Sequence, residues 1–188
     1  MCFNFEVSIG TFIFSWLIGL YLLTKRLKIE YKNDVIFLLL FSSIQLIDAI
    51  FWYNEMKPNM LNYVLTSFIL PLLLSLQVLF NMFVINKTTN IFIILFIIIF
   101  ILIIFISFYG RYTIKSCNYF SSPLWTSNEL DRYLMFVFAV LISYGRYNIS
   151  GLFIFSVLIL IFLLNIDAVG SMWCAISNIL ALYYLFKY

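Results

Sequence analysis

IFIILFIIIFILIIFISFY, residues 91–109, carries no charge and, apart from Ser107 and the closing Tyr109, nothing polar. A stretch of this length crosses the roughly 30 Å hydrocarbon layer of a bilayer as one helix, and a helix apolar all round faces lipid or core on every side. The chain repeats the pattern outward from here. Upstream lie apolar runs at 63–85, 35–53 and 7–23; downstream lie 148–164 and 168–186, with a shorter run at 133–144. Of the 188 residues 65% are hydrophobic and 10% charged, against about 25% charged in soluble domains. No water-soluble fold hides that much apolar surface. The expected architecture is all-α, a polytopic membrane bundle of about seven transmembrane helices forming a single domain over residues 1–188.

The fifth span needs a polar start. Residues 133–144 are too few to cross, but Thr126-Ser127-Asn128-Glu129 reads as a capping box with Thr126 as N-cap and Glu129 reaching back. Residues 127–146 are then long enough; the alternative is a re-entrant hairpin formed by the fifth and sixth runs. The first run follows Glu6 and precedes Thr24-Lys25-Arg26-Leu27-Lys28, the reverse of a signal peptide's charge order. It therefore reads as a retained span with its N-terminus outside. Alternation then places Lys25, Arg26, Lys28, Lys32, Lys87, Arg146 and Lys187 inside, together with the C-terminus, and Lys57, Arg111, Lys115 and Arg132 outside. Aromatic residues at the span ends, Trp52 and Tyr53 outside, Tyr144, Tyr147, Tyr183 and Tyr184 inside, agree with interfacial belts. The sequons Asn86-Lys87-Thr88 and Asn148-Ile149-Ser150 fall on the inner side and are expected to stay unmodified.

Much chemistry is excluded by what is missing. The chain has no His, which removes HExxH zinc sites and most histidine-based hydrolases. Cys2, Cys117 and Cys174 are far apart with no CxxC, so no metal, redox pair or cofactor is expected. No GxSxG elbow accompanies the serines, and an enzyme is not expected. The net charge of +3 comes mostly from the first loop, where orientation requires it; there is no basic stripe for nucleic acid. The expected partners are the lipid bilayer, a small solute or ion, and a second copy of the chain. Abundant Phe, Ile, Tyr, Asn and Lys fit an AT-rich genome such as a protist's or a large DNA virus's.

The interior is not uniformly apolar. Asp48 is the one formal charge well inside the predicted hydrocarbon, and a carboxylate there costs a few kcal/mol or more unless paired, hydrated or neutral. Helical spacing puts Gln45, Asp48 and Trp52 on one face of the second run, Gln77 and Asn81 on one face of the third, and Ser177 and Asn178 near the middle of the seventh. At a rise of about 1.5 Å per residue, Gln45, Gln77 and Asn178 come to the midplane, Asp48 a turn outward and Asn81 a turn inward. Two readings compete. If the second, third and seventh helices are neighbours, these groups form a polar path or pocket for a proton, ion or small solute; otherwise the amides hold helices together and Asp48 reaches water, Lys57 or Arg132.

Thr11, Ser15 and Gly19, every fourth residue of the first run, and Ser171, Ala175 and Asn178 in the seventh are the small residues of a close helix contact. Pro71, four residues after Ser67, is expected to kink the third helix and free the Ser67 carbonyl. Trp16, Trp125 and Trp173 follow no cofactor spacing and are assigned to packing or interface. The polar stretch at 110–128, with Cys117, Ser121, Ser122 and Pro123, reads as an outer connector or docking face.

Seven helices in so short a chain resemble microbial rhodopsins and the small sugar transporters built as three helices, a linker and three more. The seventh run has no lysine to form a retinal Schiff base, which removes the first. A three-one-three repeat rests on Ser75-Leu-Gln-Val-Leu-Phe-Asn81 against Ser171-Met-Trp-Cys-Ala-Ile-Ser-Asn178, one residue out of register and without the matching prolines. Ser43-Ile-Gln-Leu-Ile-Asp-Ala-Ile-Phe-Trp52, Leu74-Ser-Leu-Gln-Val-Leu-Phe-Asn81 and Gly170-Ser-Met-Trp-Cys174 are similar in style to multi-pass proteins of giant DNA viruses and their protist or algal hosts. That resemblance implies an integral protein of a host-cell or virion membrane and assigns no catalytic residue. The function expected is a small transporter or channel with a polar midplane site, or alternatively a non-transporting protein that organises a membrane.

Overall fold

Asparagine starts three of the helices. Asn4 opens α1 (Phe5–Thr24), its side chain accepting the Val7 N–H at 2.8 Å. Asn59 opens α3 (Met60–Ile85), accepting from Asn62 N–H at 3.0 Å, and Asn90 opens α4 (Ile91–Phe108), accepting from Phe92 N–H at 2.9 Å. Each cap satisfies an N–H that the first turn leaves free, so the chain turns sharply from polar connector to apolar helix. The second helix, α2 (Ile29–Tyr53), has no side-chain cap but carries Glu30 in its first turn, at the positive end of the helix dipole. The computed structural model describes residues 4–115, 123–125, 130–145 and 169–188, which add α5 (Leu130–Ser143), α6 (Val169–Lys187) and a short antiparallel pair, β1 (Ile114–Lys115) and β2 (Pro123–Leu124).

Among the described residues, α1, α2, α3 and α4 are long and apolar enough to cross a membrane, and α5 and α6 contribute shorter apolar stretches, Tyr133–Ser143 and Ala175–Lys187. The helices start earlier than hydropathy alone suggests: α2 begins at Ile29 rather than at residue 35, and α3 at Met60 rather than at residue 63. Hydropathy marks the part of a helix that lies in hydrocarbon, whereas backbone hydrogen bonding continues through Glu30, Lys32 and Asp34 to the helix end. The capping box at Thr126 and the sixth run, 148–164, lie outside the described residues.

α2 is the axis of the bundle. It packs against α1, α3 and α6; α6 also meets α1, and α3 meets α4 and α5. Of the apolar window of α2 61% is buried, against 28% for α1 and for α4, which leaves the flanking helices broad apolar surfaces such as Leu17, Leu20, Leu95, Ile99 and Ile106. Even in α4, apolar all round, burial follows helical spacing through Ile97, Phe100, Ile104 and Phe108. The small-residue stripe of α1 does what its composition predicts. Gly19 is buried against α2, where an added Cβ would come within 2.5 Å of Leu39 Cδ2.

A π turn precedes Pro71. Residues Leu65–Ile69, just before it, form a π-helical turn in which the Leu70 N–H reaches back to the Leu65 carbonyl. Widening the turn absorbs the donor that proline lacks and the clash its ring would make with the Ser67 carbonyl. A second π turn, Phe80–Ile85, closes α3.

The helix ends define two faces. The near face carries Asn4, the 54–59 turn and residues 109–115; the far face carries residues 25–28 and 86–90, Gly145 and Tyr188. Tyr188 donates its hydroxyl to Asp34 Oδ2 at 3.0 Å and stacks on Tyr31, with centroids 4.5 Å apart, fixing the end of α6 beside the start of α2.

Candidate functional site

The polar side chains expected at the midplane are buried or half-buried, and the hydrogen bonds among the described residues tie them to separate partners. Gln45 of α2 donates from Nε2 to Ser177 Oγ of α6. The next residue, Asn178, accepts the Ser15 hydroxyl of α1 at 2.9 Å. These two contacts tie α1, α6 and α2 at mid-depth and account for the serine in the α1 stripe. Gln77 of α3 donates to the Leu40 carbonyl of α2 at 3.2 Å, where Ser42 and Ser43 bind the carbonyls of Leu38 and Leu39. The second run is therefore a neighbour of both the third and the seventh, with Gln45 turned toward the seventh and Gln77 toward the second.

Asn81 lies at the far face and works on backbone. Its Nδ2 donates to the carbonyls of Leu141 and Tyr144 at 2.8 and 3.1 Å, and Asn86 Nδ2 donates to Tyr144 O at 2.8 Å and Asn81 O at 2.9 Å. The last carbonyls of α5 have no partner within their own helix, and these two amides supply it. Gly145 follows with φ of 72°, the left-handed conformation that commonly ends a helix. The π turn at 80–85 presents both amides to α5, since the Asn86 N–H bonds to the Asn81 carbonyl. The nitrogen of the first sequon is thus occupied in the fold.

A second polar knot, unforeseen from the sequence, pins the near face. Asn62 is fully buried and uses its whole amide: Nδ2 donates to the carbonyls of Thr113 and Lys57 at 2.9 and 3.1 Å, while Oδ1 accepts from Thr113 N–H at 2.9 Å and Thr66 Oγ1 at 3.0 Å. The Thr66 and Thr113 hydroxyls meet at 2.8 Å. The signal available in the sequence was Asn62 and Thr66 at i and i+4, one turn inside a helix start.

Asp48 is fully buried one turn before the near-face end of α2. It does not pair with Lys57, which forms an ion pair with Glu55 at 2.7 Å; the Lys57 ammonium holds the Glu55 carboxyl below its ordinary range. Instead Asp48 Oδ1 accepts the indole N–H of Trp125 at 3.0 Å. Trp125 is itself buried, and β2, on which it follows, packs against α2 and α6. A tryptophan assigned to packing by its lack of motif is therefore the partner of the intramembrane carboxyl. The opposite oxygen, Oδ2, has no hydrogen-bond partner among the described residues, and neither has Gln77 Oε1 or Ser75 Oγ. Compared with family models, curated proteins and solved structures, the chain matches none.

Proposed function

We propose that the chain is a seven-span membrane protein whose role is architectural, the near face lying outside and the far face inside. The observation that carries the role is that Gln45, Gln77, Asn81 and Asn178 each make a side-chain hydrogen bond to another helix. Such bonds hold membrane helices in register at about 0.6–2 kcal/mol each. Seven spans are supported by the ends of α5 and α6: α5 finishes at the far face against Asn81 and Asn86, while α6 starts beside β2 at the near face. The chain must return between them, and the apolar run 148–164 covers about 25 Å as a helix. Lys25, Arg26, Lys28, Lys32, Lys87 and Lys187 on the far face support its being the inner one. By its resemblance to giant-virus proteins, the membrane organised is a host-cell or virion membrane, and a second copy is the natural partner. The test is purified protein in liposomes. Proton, ion and small-solute leak no faster than in empty vesicles is expected, and saturable flux by the wild type refutes the reading.

Asp48 favours a second reading, a small transporter or channel with a proton site in the outer half of the bundle. A buried carboxyl with one oxygen unpartnered is not needed to hold α2 in place. Flux lost on Asp48→Asn supports it; flux unchanged in that variant removes it.

A further inference from the structure

The two oxygens of the Asp48 carboxyl lie in unlike surroundings. Oδ1 takes the Trp125 N–H at 3.0 Å, while Oδ2 is buried and unpartnered among the described residues. An indole N–H is a donor only; it steadies the carboxyl and neither takes nor delivers a proton. One neutral donor does not balance a full charge in this medium. Among the described residues, several charged groups lie on the elements around this end of α2, and no ion pair between them and Asp48 is seen. Lys115 of β1 lies over the Trp52 ring at 5.5 Å, Lys57 pairs with Glu55, and Glu6 of α1 is exposed. Arg111, whose main-chain carbonyl accepts from Ser67, also brings a guanidinium with a buried nitrogen to the near face, α3 carries no charged residue, and α6 carries only Lys187, at the far face. A proton on Oδ2 removes the charge and leaves Oδ1 as the neutral acceptor that Trp125 already serves.

The indole is held in place by its neighbours. β2 pairs with β1, Ile114 opposite Leu124 and Lys115 opposite Pro123, and the residue before β1, Thr113, is locked to Asn62 and Thr66 of α3. Trp125 is thus presented from the near face onto the carboxyl by an anchored strand pair, and its own exposure is only 4%. We propose that Asp48 is a proton-binding site opening toward the near face and that Trp125 is its cover: the ring excludes water from the carboxyl, and a proton reaches or leaves Oδ2 when the ring swings aside. This rests on the Asp48 part of the transport reading and requires no flux.

Carbodiimides modify protonated carboxyls, which gives a direct test on the reconstituted protein with the modified residue located by peptide mass spectrometry. Dicyclohexylcarbodiimide, arriving through lipid, is expected to modify Asp48 in the wild type, with Asp48→Asn as the blank. A water-soluble carbodiimide with an amine nucleophile is expected to modify it slowly in the wild type and about tenfold faster in Trp125→Phe, which keeps a ring and loses the N–H, the effect that losing one neutral hydrogen bond has on an opening equilibrium. Trp125→Ala, which removes the ring as well, should be faster still. Equal rates of the water-soluble reagent in wild type, Phe and Ala variants overturn the cover, and failure of dicyclohexylcarbodiimide to modify the wild type overturns the proton site. Modification governed by Trp125 in a protein that moves no solute upholds the proposal and removes transport. Flux with rates indifferent to Trp125 does the opposite.

Discussion

Gly145→Ala is predicted to be the most damaging single methyl group that can be added to a glycine of the described loops. Gly145 has φ of 72°, and a Cβ there would overlap Asn86 Oδ1 and crowd its Nδ2, at 3.0 Å. The left-handed backbone alone costs an alanine about 1 kcal/mol. The Asn86 side chain must also swing away, breaking its bonds to Tyr144 O and Asn81 O at 2.8 and 2.9 Å, worth about 1 kcal/mol each. The sum is about 3 kcal/mol. Gly110 is the internal control, because its φ of 74° is nearly the same while nothing lies within 4 Å of its added Cβ; Gly110→Ala should cost only the backbone part, about 1 kcal/mol. Reversible unfolding in mixed micelles would report both, together with Gly145→Ala in an Asn86→Ala background, where the added cost should fall to that of Gly110→Ala. If Gly145→Ala costs no more than Gly110→Ala, or costs the same with and without Asn86, the far-face cap is not what holds α5.

Asn62→Ala should destabilise by about 3 kcal/mol or more, since it orphans buried groups of Thr66 and Thr113, and should expose the chain near Thr113 to proteolysis; an unchanged digestion pattern contradicts the pinning of β1. Asn178→Ala and Ser15→Ala should each lower stability by about 1 kcal/mol and the double variant by no more than the larger of the two; additive losses would mean that they do not act as a pair. Tyr188 should produce an alkaline transition, because burial first, and then the charge and hydrogen bond of Asp34, hold its hydroxyl proton more tightly than in an unfolded chain. That contribution is complete below the ordinary tyrosine value of about 10 and is lost as pH rises above it. Tyr188→Phe, followed by thermal melting across the alkaline range, should remove the extra pH dependence while leaving the stability at neutral pH within about 1 kcal/mol of the wild type.

Uninterrupted apolar length was legible because it is a one-dimensional property: the described helices all coincide with apolar runs, and the small-residue stripe of α1 gave its packing face correctly at Gly19. Polar residues inside those runs were legible too, since each stands out against Ile, Phe and Leu. Their partners were not. Spacing along a helix assigns Gln45, Gln77 and Asn178 a depth and a face, but the neighbour met on that face depends on how helices far apart in sequence pack. The same composition serves a shared path or separate ties.

The chain's own residues therefore determine that it is mostly helical and predominantly apolar, with helices long and apolar enough to cross a membrane, where every backbone donor must be satisfied within its own segment. Tertiary structure alone decides that Asn178 holds Ser15, that Asn81 and Asn86 end α5, that a π turn precedes Pro71, and that Trp125 folds back onto Asp48. Each is a contact between groups whose meeting is set by helix packing, and side-chain hydrogen bonds act over about 3 Å, a distance no pattern in a linear sequence can measure.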